Sequence, residues 1–145
     1  MLNVLGWLAV LCCGLFAGAA LHISVVEHPA RMRGGVDMAL REWAPAYTRA
    51  TVLQGSLAVL GGATGMLAWA LGGGLGYLFG ALLLLAVVPF TLLIVSRTDK
   101  RLLDLFATDE VENANELLAR WNALHAVRTG LSVVAFVAML VGAGR

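Results

Sequence analysis

Three stretches of the chain carry no Asp, Glu, Lys or Arg: residues 1–26, 50–96 and 129–144. A membrane-spanning helix needs about 20 predominantly apolar residues. The first stretch holds one span. The second holds two, divided by the turn-forming run Leu71-Gly72-Gly73-Gly74-Leu75-Gly76. The third, residues 129–144, is too short, because 16 residues at about 1.5 Å each reach about 24 Å and the hydrocarbon core is about 30 Å thick. The last helix must therefore start earlier and carry Trp121, His125 and Arg128 into the membrane or to its edge. The pattern predicts spans at about residues 2–26, 51–71, 75–95 and 117–142. It describes an all-α, integral membrane four-helix bundle, with one membrane domain over residues 1–145.

The connections between spans have their own periodicity. Val36, Leu40 and Trp43 fall at helical spacing, with Asp37, Arg41 and Glu42 turned elsewhere. This predicts a short amphipathic helix at the interface, ended by Pro45, with Tyr47 anchoring the next span at headgroup level. The second connection is again amphipathic over Lys100-Arg101-Leu102-Leu103-Asp104-Leu105-Phe106. After it, Thr108 is expected to cap the final helix, with Asp109 and Glu110 in its first turn. Gly14 and Gly18, Gly61 and Gly65, and Gly76 and Gly80 are spaced by four. Such pairs permit close helix contact in lipid, within one bundle or between copies in a homo-oligomer.

Composition sharpens this picture. Hydrophobic residues make up 60% of the chain and charged residues 13%, against about 25% charged in a soluble domain. Nine of the ten Lys and Arg residues lie within 31–49 and 97–128, and Arg145 is the tenth. The positive-inside rule then puts both charged connections in the cytoplasm, with both termini and the glycine turn outside. All nine acidic residues share the cytoplasmic side, and the net charge is +1, so no nucleic-acid surface is expected. Ala17-Gly18-Ala19 is similar to a signal-cleavage site, but residues 1–20 have no positive region and the apolar run is long, so the segment is read as a retained span. Cys12 and Cys13 are adjacent, a poor geometry for a disulfide, and are read as apolar filler. The absence of a CxxC pair disfavours thiol-dependent quinone reduction.

Polar groups within spans are costly and are the natural candidates for function. His22 in span 1 and His125 in span 4 fall at similar depth on antiparallel helices. Trp121, His125, Arg128 and Ser132 form one stripe on span 4. Pro89 lies in span 3, removes a backbone donor, and is followed by Thr91. The expected site is a pocket between helix ends with apolar walls. An imidazole titrates near neutrality, so either histidine is a candidate base, and Arg128 suits a developing oxyanion. Plainer readings stand beside these. Each histidine can serve only to bond a neighbouring helix, Glu27 and Arg128 can form a boundary ion pair, and Trp121 can be an interface anchor. His22 and His125 together would be a weak metal or haem signature without further ligands, so no cofactor is expected and haem or metal stays open. No phosphate loop, nucleophile motif or zinc spacing is present.

The segment Gly18-Ala19-Ala20-Leu21-His22-Ile23-Ser24-Val25-Val26-Glu27-His28-Pro29-Ala30-Arg31 resembles the first-helix signature of a small membrane family that includes the fungal anthrone oxygenases. Pro89-Phe90-Thr91 is similar to its third-helix motif. Leu118-Ala119-Arg120-Trp121-Asn122-Ala123-Leu124-His125-Ala126-Val127-Arg128-Thr129 resembles its Trp, His and Arg motif opening the last helix. The likeness covers most of the chain. It implies oxygenation of a flat phenolic compound to a quinone, with the bilayer and a lipophilic aromatic molecule as partners. In that reading His125 is the base, His22 the alternative base, Arg128 the anion partner, and Glu27 the group that orients a histidine or Arg128. Trp121, Thr91, His28, Ser132 and Asp99 then belong to the substrate pocket. Asp99 stands near the place where many relatives carry an Asn, which points to a different specificity. The competing readings are a non-catalytic membrane module (a binding protein, carrier or partner subunit) and a bis-histidine haem or metal protein.

Overall fold

The computed structural model describes residues 1–111 and 113–144. Arg145, the single cation expected on the far side, lies outside the described residues, as does Glu112. Among the described residues the ordered elements are all helical: α1 (Leu2–His22), α2 (His28–Arg33), α3 (Val36–Ala70), α4 (Leu75–Phe90), α5 (Ser96–Thr108) and α6 (Ala114–Ala143). A π-helical turn, Ile23–Glu27, joins α1 to α2, and a second, Thr91–Val95, joins α4 to α5. Four continuous rods result, Leu2–Arg33, Val36–Ala70, Leu75–Thr108 and Ala114–Ala143, each long and apolar enough to cross a bilayer. The protein is a multi-pass, four-helix membrane bundle.

Both amphipathic segments are helical, but each runs on into a span without a break. Pro45 does not end its helix; it sits inside α3, exposed on its outer side. An interior proline costs about 3 kcal/mol. Here Ala39, Leu40, Trp43 and Ala44 are all buried against the bundle just before it, and that burial outweighs the lost backbone bond. Thr108 is the last residue of α5 rather than a cap for α6. Asp109 follows in the left-handed region at φ 59, which turns the chain, and α6 starts at Ala114.

In the bundle α1 packs on α3 and α6, α4 packs on the same two helices, and α1 lies diagonal to α4. Close approach needs small residues where backbones touch. A Cβ at Gly76 would collide with the Ala138 carbonyl and the Gly142 backbone, and one at Gly80 would sit 2.7 Å from the Ala135 carbonyl. Gly18 has nothing within 4 Å, so its spacing from Gly14 marks no contact. Between α3 and α4, Gly72 takes φ 95, which lets the chain reverse in so few residues.

Two apolar clusters result. One, in the far half, includes Ala9, Phe16, Ala58, Leu84, Val87 and Met139. The other, at the charged end, includes Leu40, Trp43, Val95, Leu102, Leu118 and Trp121. Between them along α3 and α6 lies a buried polar layer of Gln54, His125, Arg128, Thr129 and Ser132.

Candidate functional site

The buried face of α6 carries Trp121, His125, Arg128, Thr129 and Ser132, positions that recur at helical spacing and point into the bundle. His125 is 1% exposed. Its Nδ1 lies 3.0 Å from Ser24 Oγ, and Ser24 Oγ lies 2.9 Å from Thr129 Oγ1. The Thr129 hydroxyl donates to a backbone carbonyl, that of Ala20 at 3.2 Å or of His125 at 3.0 Å. With Thr129 donating to a carbonyl, which only accepts, the chain of hydrogen bonds runs in one direction. Thr129 accepts from the Ser24 hydroxyl, and Ser24 accepts from His125 Nδ1–H. Neutral His125 is therefore assigned the Nδ1–H tautomer by donor counting. Its Nε2 lone pair has no hydrogen-bond partner among the described residues.

Ser24 reaches His125 from the π-helical turn after α1. His22, two residues earlier, is exposed on the outer surface of α1 and does not join His125. His28 is buried and tilts against Trp121, with ring centroids 5.8 Å apart. Trp121 stacks on His125 at 4.9 Å and meets Trp43 edge-on at 5.7 Å, and Trp43 stacks on Tyr47 at 4.9 Å. A row of aromatic rings thus runs from His125 to Tyr47.

Arg128 is 9% exposed and donates through its terminal nitrogen to Gln54 Oε1 at 2.8 Å, while its guanidinium carbon lies 5.8 Å from the Phe16 ring centroid. Among the described residues it pairs with no carboxylate. The expected Glu27–Arg128 pair is replaced by Glu27–Arg31, four residues apart on one helical run, so Glu27 has a nearer partner. Arg31 is also 3.9 Å from Glu42. Asp99 is buried and accepts from the Tyr47 hydroxyl at 3.1 Å. Thr91 donates to the Val87 carbonyl behind it, and Ser132 is fully buried with its hydroxyl bonded to the Thr129 carbonyl.

These groups surround a cleft of about 420 Å³, counting its open mouth, lined by His125, Arg128, Gln54, Trp43, Trp121 and Tyr47 with Glu27 and Arg31 at its charged end. The room inside it for a ligand is only about 70 Å³, below the roughly 300–1,000 Å³ of small-molecule sites, so its lining side chains have to move apart to admit a ring system. His125, Arg128, Trp121 and Glu27 face it. Thr91 lines a neighbouring cavity, while His28, Asp99 and Ser132 stand behind the lining. Three buried donors around the cleft have no hydrogen-bond partner among the described residues, Trp43 Nε1, Gln54 Nε2 and Arg128 Nε, while Trp121 Nε1 is directed at the Asp99 carboxylate. Orphan donors of this kind normally carry a cost of about 1–3 kcal/mol each, and they concentrate where polar ligand atoms would satisfy them. No three His, Cys, Asp or Glu side chains converge as a metal site among the described residues.

Sequence reasoning passed over Gln54, Ser24, Thr129 and Arg31. Gln54 had a signal, as the one amide within the charge-free stretch 50–96. Ser24 and Thr129 lie inside the two motif-like segments, but nothing else marks them, because small hydroxyls in spans commonly bond their own helix.

The profile of the anthrone oxygenase family matches residues 43–138. No curated protein and no solved structure matches the chain.

Proposed function

This chain belongs to the anthrone oxygenase family, and we propose that it is a membrane oxygenase that uses dioxygen to convert a lipophilic, flat phenolic compound into a quinone. The observation that carries this reading is that His125 and Arg128, both buried, line one cleft walled by Trp43, Trp121 and Tyr47.

Each step then has a residue. His125 Nε2 takes a proton from the reactive CH₂ of an anthrone, and the ring oxygen that receives the negative charge lies against Arg128. The electron-rich anion passes one electron to dioxygen, and the carbon radical and superoxide combine to form the C–O bond. The peroxide anion takes its proton back from His125. His125 then removes the remaining C–H proton while the O–O bond breaks, and the leaving hydroxide takes that proton. One substrate and one dioxygen give one quinone and one water. The reaction so written draws its electrons from the substrate, so the protein has to supply a base, an anion partner and exclusion of water. The indoles of Trp43 and Trp121 offer planar walls to a phenolic ring, and Trp43 Nε1 adds an unpartnered N–H donor.

The test is oxygen uptake by membranes containing the protein and given an anthrone, with empty membranes as the control for autoxidation. Wild-type uptake well above that control, lost in His125→Ala, is the expected result. Uptake equal to empty membranes would overturn the proposal.

We also place the charged helix ends in the cytoplasm and both termini on the opposite face, since nine of ten cations cluster at one end. A C-terminal fluorescent reporter that matures in the cytoplasm would reverse that orientation.

A further inference from the structure

A second cavity, about 100 Å³ inside and about 440 Å³ when its open mouth is counted, lies on the other side of the Gln54–Arg128 hydrogen bond. Its body is apolar, built from Phe16, Ala58, Val87 and Leu92. It shares Thr51, Gln54 and Arg128 with the cleft described above, so the same three side chains face both spaces. This partition is not an apolar packing layer. Gln54 is 3% exposed and Arg128 9%, yet Gln54 Nε2 and Arg128 Nε have no partner among the described residues. Burying polar atoms unpaired is costly, and here they sit where a ligand oxygen spanning the two spaces would meet them.

The second cavity reaches the outer surface of the bundle between α3 and the π-helical turn Thr91–Val95. Thr51 and Gly55 form one exposed lip and Leu92, 66% exposed, the other. A Cβ at Gly55 would meet nothing within 4 Å, so the lip is open as well as small. Both lips belong to the charge-free stretch 50–96, and the mouth therefore opens toward acyl chains rather than bulk water. The adjoining turn is π-helical and follows Pro89 by two residues, so the wall there is not a regular α-helix.

We propose that this chamber is a bilayer-side part of the substrate site, through which a flat polycyclic phenol passes from the acyl-chain region, and that Gln54 yields Arg128 to a substrate oxygen as the rings cross. The inference rests on the oxygenase reading for the identity of the ligand. A compound that partitions into the bilayer is already concentrated at such a mouth, and an apolar chamber strips no water from it. Arg128 then exchanges one neutral oxygen, the Gln54 amide, for the oxygen of the substrate.

The experiment uses the full-length protein in nanodiscs and follows saturable quenching of its tryptophan emission by a dihydroxyanthraquinone, beside oxygen uptake with the matching anthrone. A Cβ at Gly55 meets open space, so Gly55→Phe sets a ring at the mouth and replaces a poor helix former by a better one. It is expected to weaken quenching by about tenfold or more, as forcing a ring system into a filled space does. Leu92→Ala widens the opposite lip and is expected to speed association. Gly18→Phe, at an exposed glycine of α1 with equal free space, should behave as wild type. Gly55→Phe that is quenched as strongly as wild type, with Leu92→Ala that binds at the wild-type rate, would overturn the chamber while leaving the oxygenase reading intact. The expected binding pattern without oxygen uptake by the wild type would support the chamber and overturn the oxygenase reading. A wild type that shows no saturable quenching would overturn both.

Discussion

Ser24 offers the most discriminating single change. It touches the reaction only through His125, whose Nδ1–H it accepts at 3.0 Å. In Ser24→Ala the nearest remaining oxygen is Thr129 Oγ1 at 3.5 Å, beyond a useful N–H···O distance. The imidazole is 1% exposed, so water does not replace the lost acceptor freely. An unsatisfied buried donor costs about 1–3 kcal/mol. The ring can escape that cost by moving its proton to Nε2, which removes the lone pair that acts as base. Either route lowers the population of the competent tautomer, and with about 1.4 kcal/mol per decade the loss in kcat should be roughly 5- to 100-fold. KM should change little, because Ser24 is not among the residues that line the cleft. Ser24→Thr keeps the hydroxyl and should recover much of the rate. Initial oxygen uptake in proteoliposomes over a range of anthrone concentrations measures both constants, and nitrogen NMR of labelled histidine reads the tautomer directly. A Ser24→Ala protein with wild-type kcat, or a wild type holding the proton on Nε2, would refute the hydrogen-bond ordering and with it the role of Nε2.

Three further outcomes follow from the geometry. Arg128→Met should lower kcat by about 10²–10³ if the guanidinium meets charge that develops in the reaction, and a comparable rise in KM with unchanged kcat would make it only a binding group. His22→Ala should leave oxygen uptake within about twofold of wild type, since an exposed position away from the cleft behaves as a surface site; a large loss would return His22 to the site. Gly76→Ala puts a methyl against the Ala138 carbonyl and the Gly142 backbone, and should cost about 1–3 kcal/mol in reversible unfolding in detergent, with an unchanged midpoint showing that α4 and α6 can part freely.

The number of spans, the all-helical class and the inward stripe of Trp121, His125, Arg128 and Ser132 were legible in the sequence. Lipid imposes that legibility: a span must hide every backbone group in a helix and cannot carry scattered charge, so charge-free length alone counts the helices. The short last gap was equally informative, because only an earlier start lets α6 cross. Partners across helices were not legible. Glu27 and Arg128 line the same cleft, yet Glu27 closes on Arg31 of its own helical run and Arg128 turns to Gln54. Which choice wins depends on helix rotation, and rotation is decided by packing, at contacts such as Gly76 against Gly142 and Phe16 against its neighbours in the far cluster. The same rotation turns His22 outward and brings Ser24 onto His125. Pro45 gives the parallel lesson for the backbone. Its local preference is to end a helix, and the buried face of Leu40 and Trp43 overrides it. One-dimensional pattern determined what crosses the membrane, and the tertiary packing of four rods decided which polar side chains meet.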